Sequence, residues 1–150
     1  MSKINYVIGD ATAPQGEGNK IICHICNDMG ARGAGFVLAL SKKWRYPEDR
    51  YRAMPHYELG TAMVLKVEDN IYVANMIGQH MTHPNLKGEP PIRYQAVAEA
   101  LIKVNKIAKE LNATLHMPRI GCGLAGGEWQ MIEKILKAVV SVDVTVYDLN

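Results

Sequence analysis

The pattern of apolar and polar positions along this chain indicates an alternation of strands and helices. Short runs of alternating or continuous apolar residues, each ending at Gly, Pro, Asn or Asp, predict six strands. The predicted strands cover residues 4–8, 20–25, 61–67, 71–76, 114–117 and 142–147. Because the third and fourth strands are separated only by the polar residues 68–70, we expect them to form a hairpin.

Three other segments place apolar residues at three- and four-residue steps, which is the spacing of amphipathic helices. The first opens at Gly33 and is expected to end at Pro47. The second covers residues 93–111, and the third has its apolar face between Trp129 and Val139. Strands that alternate with helices predict a three-layer α/β/α domain around a central mixed sheet. A ligand site in such a domain is expected at the carboxyl edge of the strands.

Length and composition fit one globular domain over residues 1–150, with no disulfide framework. Hydrophobic residues make up 48% and charged residues 21% of the 150 positions, so disorder is not expected. The N-terminal apolar run is too short for a signal peptide and no window would span a membrane, which predicts a cytoplasmic protein. Cys23 and Cys26 form a CxxC pair, but no second pair of ligands accompanies it, so no metal is predicted.

The net charge of +2 is too small to indicate a sequence-specific nucleic-acid binder. One basic cluster lies within residues 42–52 and is interleaved with aromatic residues. A solvated helix face explains this cluster at least as well as an RNA-binding patch does.

Three predicted strand ends carry unusual residues: Gly9-Asp10, the stretch 24–35 and the stretch 121–127. Glycine lets backbone amides approach a ligand closely, and a helix N-terminus adds partial positive charge, so each glycine-rich loop is a candidate anion site. A tight turn before a helix explains either loop alone equally well. Two such loops at one sheet edge suit a ligand with two linked phosphates. Neither loop has the spacing of a P-loop or of the dinucleotide fingerprint, which disfavours a kinase or a dehydrogenase.

Residues 6–12, 24–35, 117–124 and 145–147, taken in this order, resemble the macrodomain family over nearly the whole chain. The similarity is greatest to the branch with the yeast ADP-ribose 1″-phosphate phosphatase and the terminal ADP-ribose protein glycohydrolase. The resemblance implies an ADP-ribose-binding domain with a three-layer α/β/α fold.

The resemblance also implies roles for individual residues. Asp10, between Gly9 and Ala11, would accept a hydrogen bond from the adenine amino group, although a turn residue after a strand is the alternative for Asp10. Asn27 would contact the distal ribose. The remaining expected ligand-binding positions are Gly33, Ala34 and Gly35 in the first diphosphate loop and Ile120, Gly121, Cys122, Gly123, Leu124, Ala125 and Gly126 in the second.

The glycohydrolase branch uses a lysine and an aspartate that this chain lacks. In a gap-free match these two positions fall on Gln79 and Ala125, so a lysine-adduct mechanism is disfavoured. The remaining catalytic candidates are His80, Asn27 and Asp28. His80 comes first because it follows the strand whose end should line the distal ribose, and a loop histidine bonded to backbone is its alternative. Asp28 is secondary, since a carboxylate beside a phosphoryl group is electrostatically costly.

The leading functional hypothesis is therefore hydrolysis of ADP-ribose 1″-phosphate to ADP-ribose and phosphate, without a metal or cofactor. One alternative is removal of ADP-ribose from protein esters or nucleic-acid ends. The other is a non-catalytic ADP-ribose reader, whose partner would be an ADP-ribosylated macromolecule.

Overall fold

Six strands form one mixed sheet at the centre of the molecule. The computed structural model describes residues 3–31 and 35–149. The strands are β1 (Ile4–Ile8), β2 (Asn19–Asn27), β3 (Ala62–Glu68), β4 (Ile71–Gln79), β5 (Ala113–Met117) and β6 (Val144–Asp148). Their order is β1-β6-β5-β2-β4-β3, and every neighbouring pair is parallel except β3 and β4, which form the expected antiparallel hairpin. The predicted α/β class and mixed sheet are confirmed.

Helices cover both faces of this sheet. They are α1 (Phe36–Lys43), α2 (Tyr46–Arg52), α3 (Tyr94–Leu111) and α4 (Trp129–Val139). The pleat of β2 divides its residues between the two faces: Ile21 and Cys23 pack in the core shared with α3 and α4, whereas Ile22 packs against Leu40 of α1. Cys26 packs against Tyr51 of α2 on the same face as Ile22. The three-layer prediction is therefore confirmed.

The expected end of the first helix at Pro47 needs a correction. Helix α1 ends at Lys43, and Pro47 lies in the first turn of the separate helix α2. Proline suits this position because a backbone N–H in the first turn of a helix has no acceptor within the helix, so its absence costs no helical hydrogen bond. Glu48 and Asp49 in the first turn and Arg52 in the last complement the helix dipole. The basic cluster is thus divided between the last turn of α1 and helix α2, whose inner face buries Tyr51.

An irregularity in the pairing of β2 with β4 shapes the carboxyl edge of the sheet. Cys26 pairs with Ile77, but Asn27 pairs with Gln79, so Gly78 is an extra residue in β4. A Cβ at Gly78 would lie 2.8 Å from Cγ2 of Val97, which explains the glycine. The bulge brings Asn27 and Gln79 side by side at the strand ends.

No helix within residues 3–31 and 35–149 is both long enough and apolar enough to cross a membrane.

Candidate ligand-binding site

A cavity of about 430 Å³ opens at the carboxyl edge of β2, β4 and β5. Its walls are the end of β2, the first turn of α1, Tyr51 of α2 and the loop that follows β5. This is the edge that the strand pattern predicted, and the volume suits a small-molecule ligand.

The loop after β5 forms one wall of this cavity and presents unpaired backbone amides. The amide of Gly126 donates to the carbonyl of Gly123 at 3.0 Å, and that of Gly127 donates to the carbonyl of Gly121 at 2.7 Å, which closes the loop on itself. The amides of Gly123, Leu124 and Ala125 have no acceptor in the described part of the chain, and these three residues line the cavity. Consecutive free amides on a concave surface are a typical anion site.

The other expected positions in this loop differ in their exposure to the cavity. Ile120 and Gly121 line it. Cys122 and Gly126 do not: the Cys122 thiol faces the carbonyl of Ile120 at 3.5 Å, and Gly126 packs against Pro90. Gly121 has a φ of +75°, so glycine is required there to turn the chain away from β5.

The first turn of α1 forms another part of the cavity wall. Gly35, at φ 73° and ψ −145°, precedes the helix and provides no side-chain cap, and Gly35, Phe36 and Val37 all line the cavity. The amides of Phe36 and Val37 have no acceptor among residues 3–31 and 35–149, so the positive end of the helix dipole faces the cavity. Gly33 and Ala34 of the expected first diphosphate loop lie outside the described residues.

Asn27 lies in the cavity wall, and its amide organises the loop that follows β2. Oδ1 accepts hydrogen bonds from the amides of Met29 at 3.0 Å and Ala31 at 3.1 Å, and lies 2.8 Å from the hydroxyl of Tyr51. Nδ2 donates to the carbonyl of Ala31 at 2.7 Å. An amide nitrogen has two hydrogens, and the second N–H of Asn27 has no acceptor among the described residues.

Asp28 and His80 come together from two different loops. His80 Nδ1 lies 2.6 Å from Asp28 Oδ2, and the amide of Met81 donates to Asp28 Oδ1 at 2.9 Å. Neither residue lines the cavity, although Gln79 and Thr82, on either side of His80, both do. The imidazole is 47% exposed, and its Nε2 has no partner among the described residues. The pair therefore lies beside the cavity mouth.

The carboxyl group of Asp28 is held in its charged form. Burial acts to raise its pKa, but the hydrogen bonds from His80 and from the Met81 amide outweigh burial, and the net effect lowers the pKa below its usual value of 3.8. An ionised Asp28 keeps a proton on Nδ1 of His80, which leaves Nε2 to act as a base.

This lowered pKa gives a pH-dependent contribution to stability. Because the carboxyl binds protons more weakly in the folded than in the unfolded state, its stabilisation is full well above the unfolded pKa of 3.8 and is lost as the pH falls through the lower folded pKa. We expect the difference in unfolding free energy between the wild type and Asp28→Asn to shrink from pH 7 to pH 3 in urea titrations. A difference that stayed constant would contradict the assigned pKa direction.

Asp10 follows β1, which pairs with β6, the neighbour of β5 in the sheet. Its Oδ1 accepts hydrogen bonds from the Thr12 amide at 2.9 Å and the Thr12 hydroxyl at 2.8 Å, and these bonds lower its pKa. Oδ2 has no partner among the described residues, and the side chain does not line the cavity. The amide of Gly9 donates to the carbonyl of Asp148, and Ala11 is buried. Asp10 thus combines the turn role with one free carboxylate oxygen.

Tyr51 and Arg119 are among the cavity-lining residues that were not identified from the sequence. Tyr51 was missed because no helix was predicted after Pro47, although the proline and the acidic first turn were available signals. Arg119 lines the cavity and donates to both carboxylate oxygens of Asp148, at 2.7 and 2.9 Å. Its guanidinium lies over the rings of Tyr6 and Trp129, which fixes its plane.

His24 also lines the cavity, but its imidazole is hydrogen-bonded within the fold. It is buried, and its Nε2 lies 2.5 Å from Oδ1 of Asn75, whose Nδ2 donates to the carbonyl of Pro47 at 2.9 Å. Since Oδ1 only accepts, the hydrogen is on Nε2 of His24. Cys23 and Cys26 are buried in β2 and form no disulfide within the described residues, which also contain no group of three His, Cys, Asp or Glu side chains placed to hold a metal.

Comparison with known proteins decides the family. No family model matches the chain. A solved macrodomain protein from Streptomyces coelicolor is 44% identical, with a TM-score of 0.83 over 99% of this chain and 100% of that one. This chain belongs to the macrodomain family. The assignment made from the sequence is thereby confirmed.

Other relatives of this macrodomain differ in how much of their length it spans. A Bacteroides thetaiotaomicron protein described as of unknown function is 52% identical, with a TM-score of 0.96 and 99% of both chains covered. A chromodomain-helicase-DNA-binding protein 1-like from Danio rerio is 33% identical over 147 residues, but the macrodomain spans only 14% of its length. An ADP-ribose 1″-phosphate phosphatase from Lodderomyces elongisporus is 26% identical, with 98% of this chain and 99% of the relative covered.

Proposed function

We propose that this macrodomain binds ADP-ribose or a close derivative in its cavity and hydrolyses ADP-ribose 1″-phosphate to ADP-ribose and phosphate. One observation carries the proposal: two sets of backbone amides that have no acceptor among residues 3–31 and 35–149 belong to residues that line the same cavity. One set is in the first turn of α1, and the other is at Gly123, Leu124 and Ala125. The name of the full-length relative from Lodderomyces elongisporus supports the same activity.

The two amide sets suit a diphosphate better than a single phosphate. Each set can donate hydrogen bonds to one negatively charged group. Backbone amides carry no net charge, so they need no charged partner of their own when the ligand is absent. A buried phosphate without such donors would be costly, so the amides select for a ligand with anionic groups on both sides. The apolar side chains of Phe36 and Ile120, which line the same cavity, would contact the sugars.

Asp10 is proposed to recognise the base, with Gly9 and Ala11 beside it. Its free Oδ2 is an acceptor for an exocyclic amino group, and its lowered pKa keeps it in the accepting form at neutral pH. Arg119, with its plane held by Asp148, provides a flat surface in the cavity wall.

Hydrolysis is proposed to use the amides of the loop after β5 and the Asp28–His80 pair. A water molecule attacks phosphorus, the bond between phosphorus and O1″ breaks, and the electron pair leaves on the sugar oxygen. Nε2 of His80 takes the proton from water and returns it to the leaving oxygen, while Asp28 orients the ring. The remaining N–H of Asn27 and the free amides would stabilise the developing charge. No step requires a metal or a cofactor.

The position of the Asp28–His80 pair also favours a second candidate. Because the pair lies beside the cavity rather than in its lining, a group larger than phosphate on the distal ribose would extend toward it. The second candidate function is therefore removal of ADP-ribose from an ester on a protein or from a nucleic-acid end. If ADP-ribose binds but none of these substrates turns over, the domain is a reader of ADP-ribosylated macromolecules.

The binding proposal is tested by calorimetric titration with ADP-ribose. We expect saturable binding to the wild type and about tenfold weaker binding to Asp10→Ala, because a charge-assisted hydrogen bond is lost. Asp69→Ala is the matched control, since the Asp69 side chain is 99% exposed in the turn between β3 and β4, at the opposite edge of the sheet. Absence of heat at millimolar ADP-ribose would rule out the proposed ligand.

The catalytic proposal is tested by comparing phosphate release from ADP-ribose 1″-phosphate with ADP-ribose release from ester-modified protein and from modified nucleic-acid ends. We expect His80→Ala to lower kcat about 100-fold with little change in ADP-ribose affinity. His83→Ala, in the same loop, is the control and should retain full turnover. Unchanged turnover in both His80→Ala and Asn27→Ala would show that these residues are not catalytic. The full rate should persist in chelator.

A further inference from the structure

The segment between β1 and β2 carries Asp10 but contains no helix or strand of its own. Side chains from three other elements hold it in place. Lys43 Nζ at the end of α1 donates to the carbonyl of Thr12 at 2.6 Å, and the amide of Gln15 donates to the Tyr147 hydroxyl of β6 at 2.8 Å. Lys20 Nζ donates to the carbonyls of Gly16 and Gly18, at 2.8 and 2.9 Å.

The contact between Tyr147 and Gln15 has a defined direction. The Tyr147 oxygen accepts from the Gln15 amide, so its own hydrogen is available for Nδ1 of His116, 2.8 Å away. Nε2 of His116 then carries the ring hydrogen and donates to the Thr114 hydroxyl at 2.7 Å. Burial, together with the positive charge of Lys20, lowers the pKa of His116 to about 4, which keeps the ring neutral. The hydroxyl of Tyr147 is therefore fixed by the sheet.

The contact from Lys43 reaches Asp10 through a single residue. Thr12, whose carbonyl accepts from Lys43, uses its amide and hydroxyl to hold Oδ1 of Asp10. The opposite end of α1 lines the cavity with Phe36 and Val37. Helix α1 thus connects the wall that faces the anion with the segment that carries the base-recognising carboxylate.

We propose that Lys43 and Tyr147 are positioning residues that set the preference for adenine over hypoxanthine by fixing the free carboxylate oxygen of Asp10 relative to the cavity. This inference rests on the proposed binding of ADP-ribose. Adenine presents an amino donor where hypoxanthine presents a carbonyl acceptor, so a fixed carboxylate attracts the first base and repels the second. A carboxylate that moves by 1 Å loses much of this discrimination, because hydrogen bonds weaken steeply with distance and angle.

The test is the ratio of affinities for ADP-ribose and for its hypoxanthine counterpart, inosine diphosphate ribose. We expect Lys43→Met and Tyr147→Phe each to lower this ratio about fivefold, with ADP-ribose weakened and the hypoxanthine ligand changed less than about twofold. Lys42→Met on the same helix and Tyr72→Phe in β4 are the matched controls and should keep the wild-type ratio. Equal weakening of both ligands would overturn the proposal, since these side chains would then affect only the general shape of the cleft.

A second measurement needs no ligand. Amide hydrogen exchange at Thr12, Ala13 and Gln15 should be at least about threefold faster in both variants than in the controls, because the segment opens more often. Exchange unchanged from the wild type would overturn the positioning role. If the wild type bound neither nucleotide, the proposed function would be wrong and the specificity claim with it. The exchange rates would then still show whether the two side chains hold the segment, so the two failures are distinguishable.

Discussion

Replacing Gly127 with alanine should lower the free energy of unfolding by about 2 to 3 kcal/mol and abolish ligand binding. A Cβ at Gly127 would lie 2.5 Å from the carbonyl oxygen of Gly121 and 2.9 Å from Cδ1 of Ile92. The nearest atom belongs to the backbone, so no rotamer change relieves the clash. The same carbonyl accepts the Gly127 amide, and separating the two residues therefore opens the closed loop.

The loss of binding should exceed what the loss of stability explains. The free amides of Gly123, Leu124 and Ala125 lie between the two ends of this closed loop, so opening it moves all three donors away from their common centre. Binding should be measured without urea, at a temperature at which circular dichroism shows that the variant is still folded. Retention of the wild-type affinity in a folded Gly127→Ala protein would contradict the role given to the loop.

Gly123→Ala is the matched control for stability. Within residues 3–31 and 35–149, no atom lies within 4 Å of a Cβ at Gly123, and its φ is not in the left-handed region. We expect its unfolding free energy to stay within about 0.5 kcal/mol of the wild type. A loss as large as that of Gly127→Ala would show that any change in this loop is damaging, and the steric argument would fail.

The second large effect is expected for Asn27→Ala, which should cost about 2 to 4 kcal/mol of unfolding free energy. The variant leaves the amides of Met29 and Ala31 and the carbonyl of Ala31 without the side chain that satisfies them. It also removes one of the two oxygens near the Tyr51 hydroxyl. Urea unfolding at pH 7 measures the loss directly.

Comparison with Tyr51→Phe separates a framework role of Asn27 from a purely catalytic one. Tyr51→Phe removes only the hydroxyl, which lies 2.7 Å from the Asn27 carbonyl and 2.8 Å from its Oδ1, and should cost about 1 kcal/mol. Because the two side chains touch, the double variant should lose less than the sum of the single losses. If Asn27→Ala were as stable as the wild type yet inactive, its role would be catalytic alone.

Local sequence patterns predicted all six strands and three of the four helices. This was possible because apolar residues recur every second position in a strand and every three to four positions in a helix that packs on the sheet. Helix α2 was missed because its seven residues bury only Pro47 and Tyr51, too few to produce a helical period. The end of β4 at Gln79 was also missed, since a bulge at Gly78 depends on the partner strand and has no local signal.

The cavity lies at the sheet edge where the sequence predicted a ligand site, and several of the predicted site residues line it. Strand order explains the agreement in position, because the glycine-rich segments follow parallel strands whose carboxyl ends meet at one edge. The roles of these residues stay predictions. The sequence grouped Asn27, Asp28 and His80 as candidate catalysts without any means to separate them. Their contacts do separate them, because Asn27 lies in the cavity wall whereas Asp28 and His80 pair beside the mouth. Whether they catalyse stays a prediction.

By itself, the sequence determined the three layers of this macrodomain, the carboxyl edge of the sheet as the place of the cavity, and the glycine-rich segments at that edge. These features depend on the local spacing of apolar residues and on the backbone freedom of glycine. Only the tertiary structure decided which amides remain unpaired, which oxygen of Asp10 is free, and that Lys43 and Tyr147 reach the segment carrying it. These are pairings between atoms far apart in the chain. They depend on the packed geometry of the whole sheet, which local patterns do not encode.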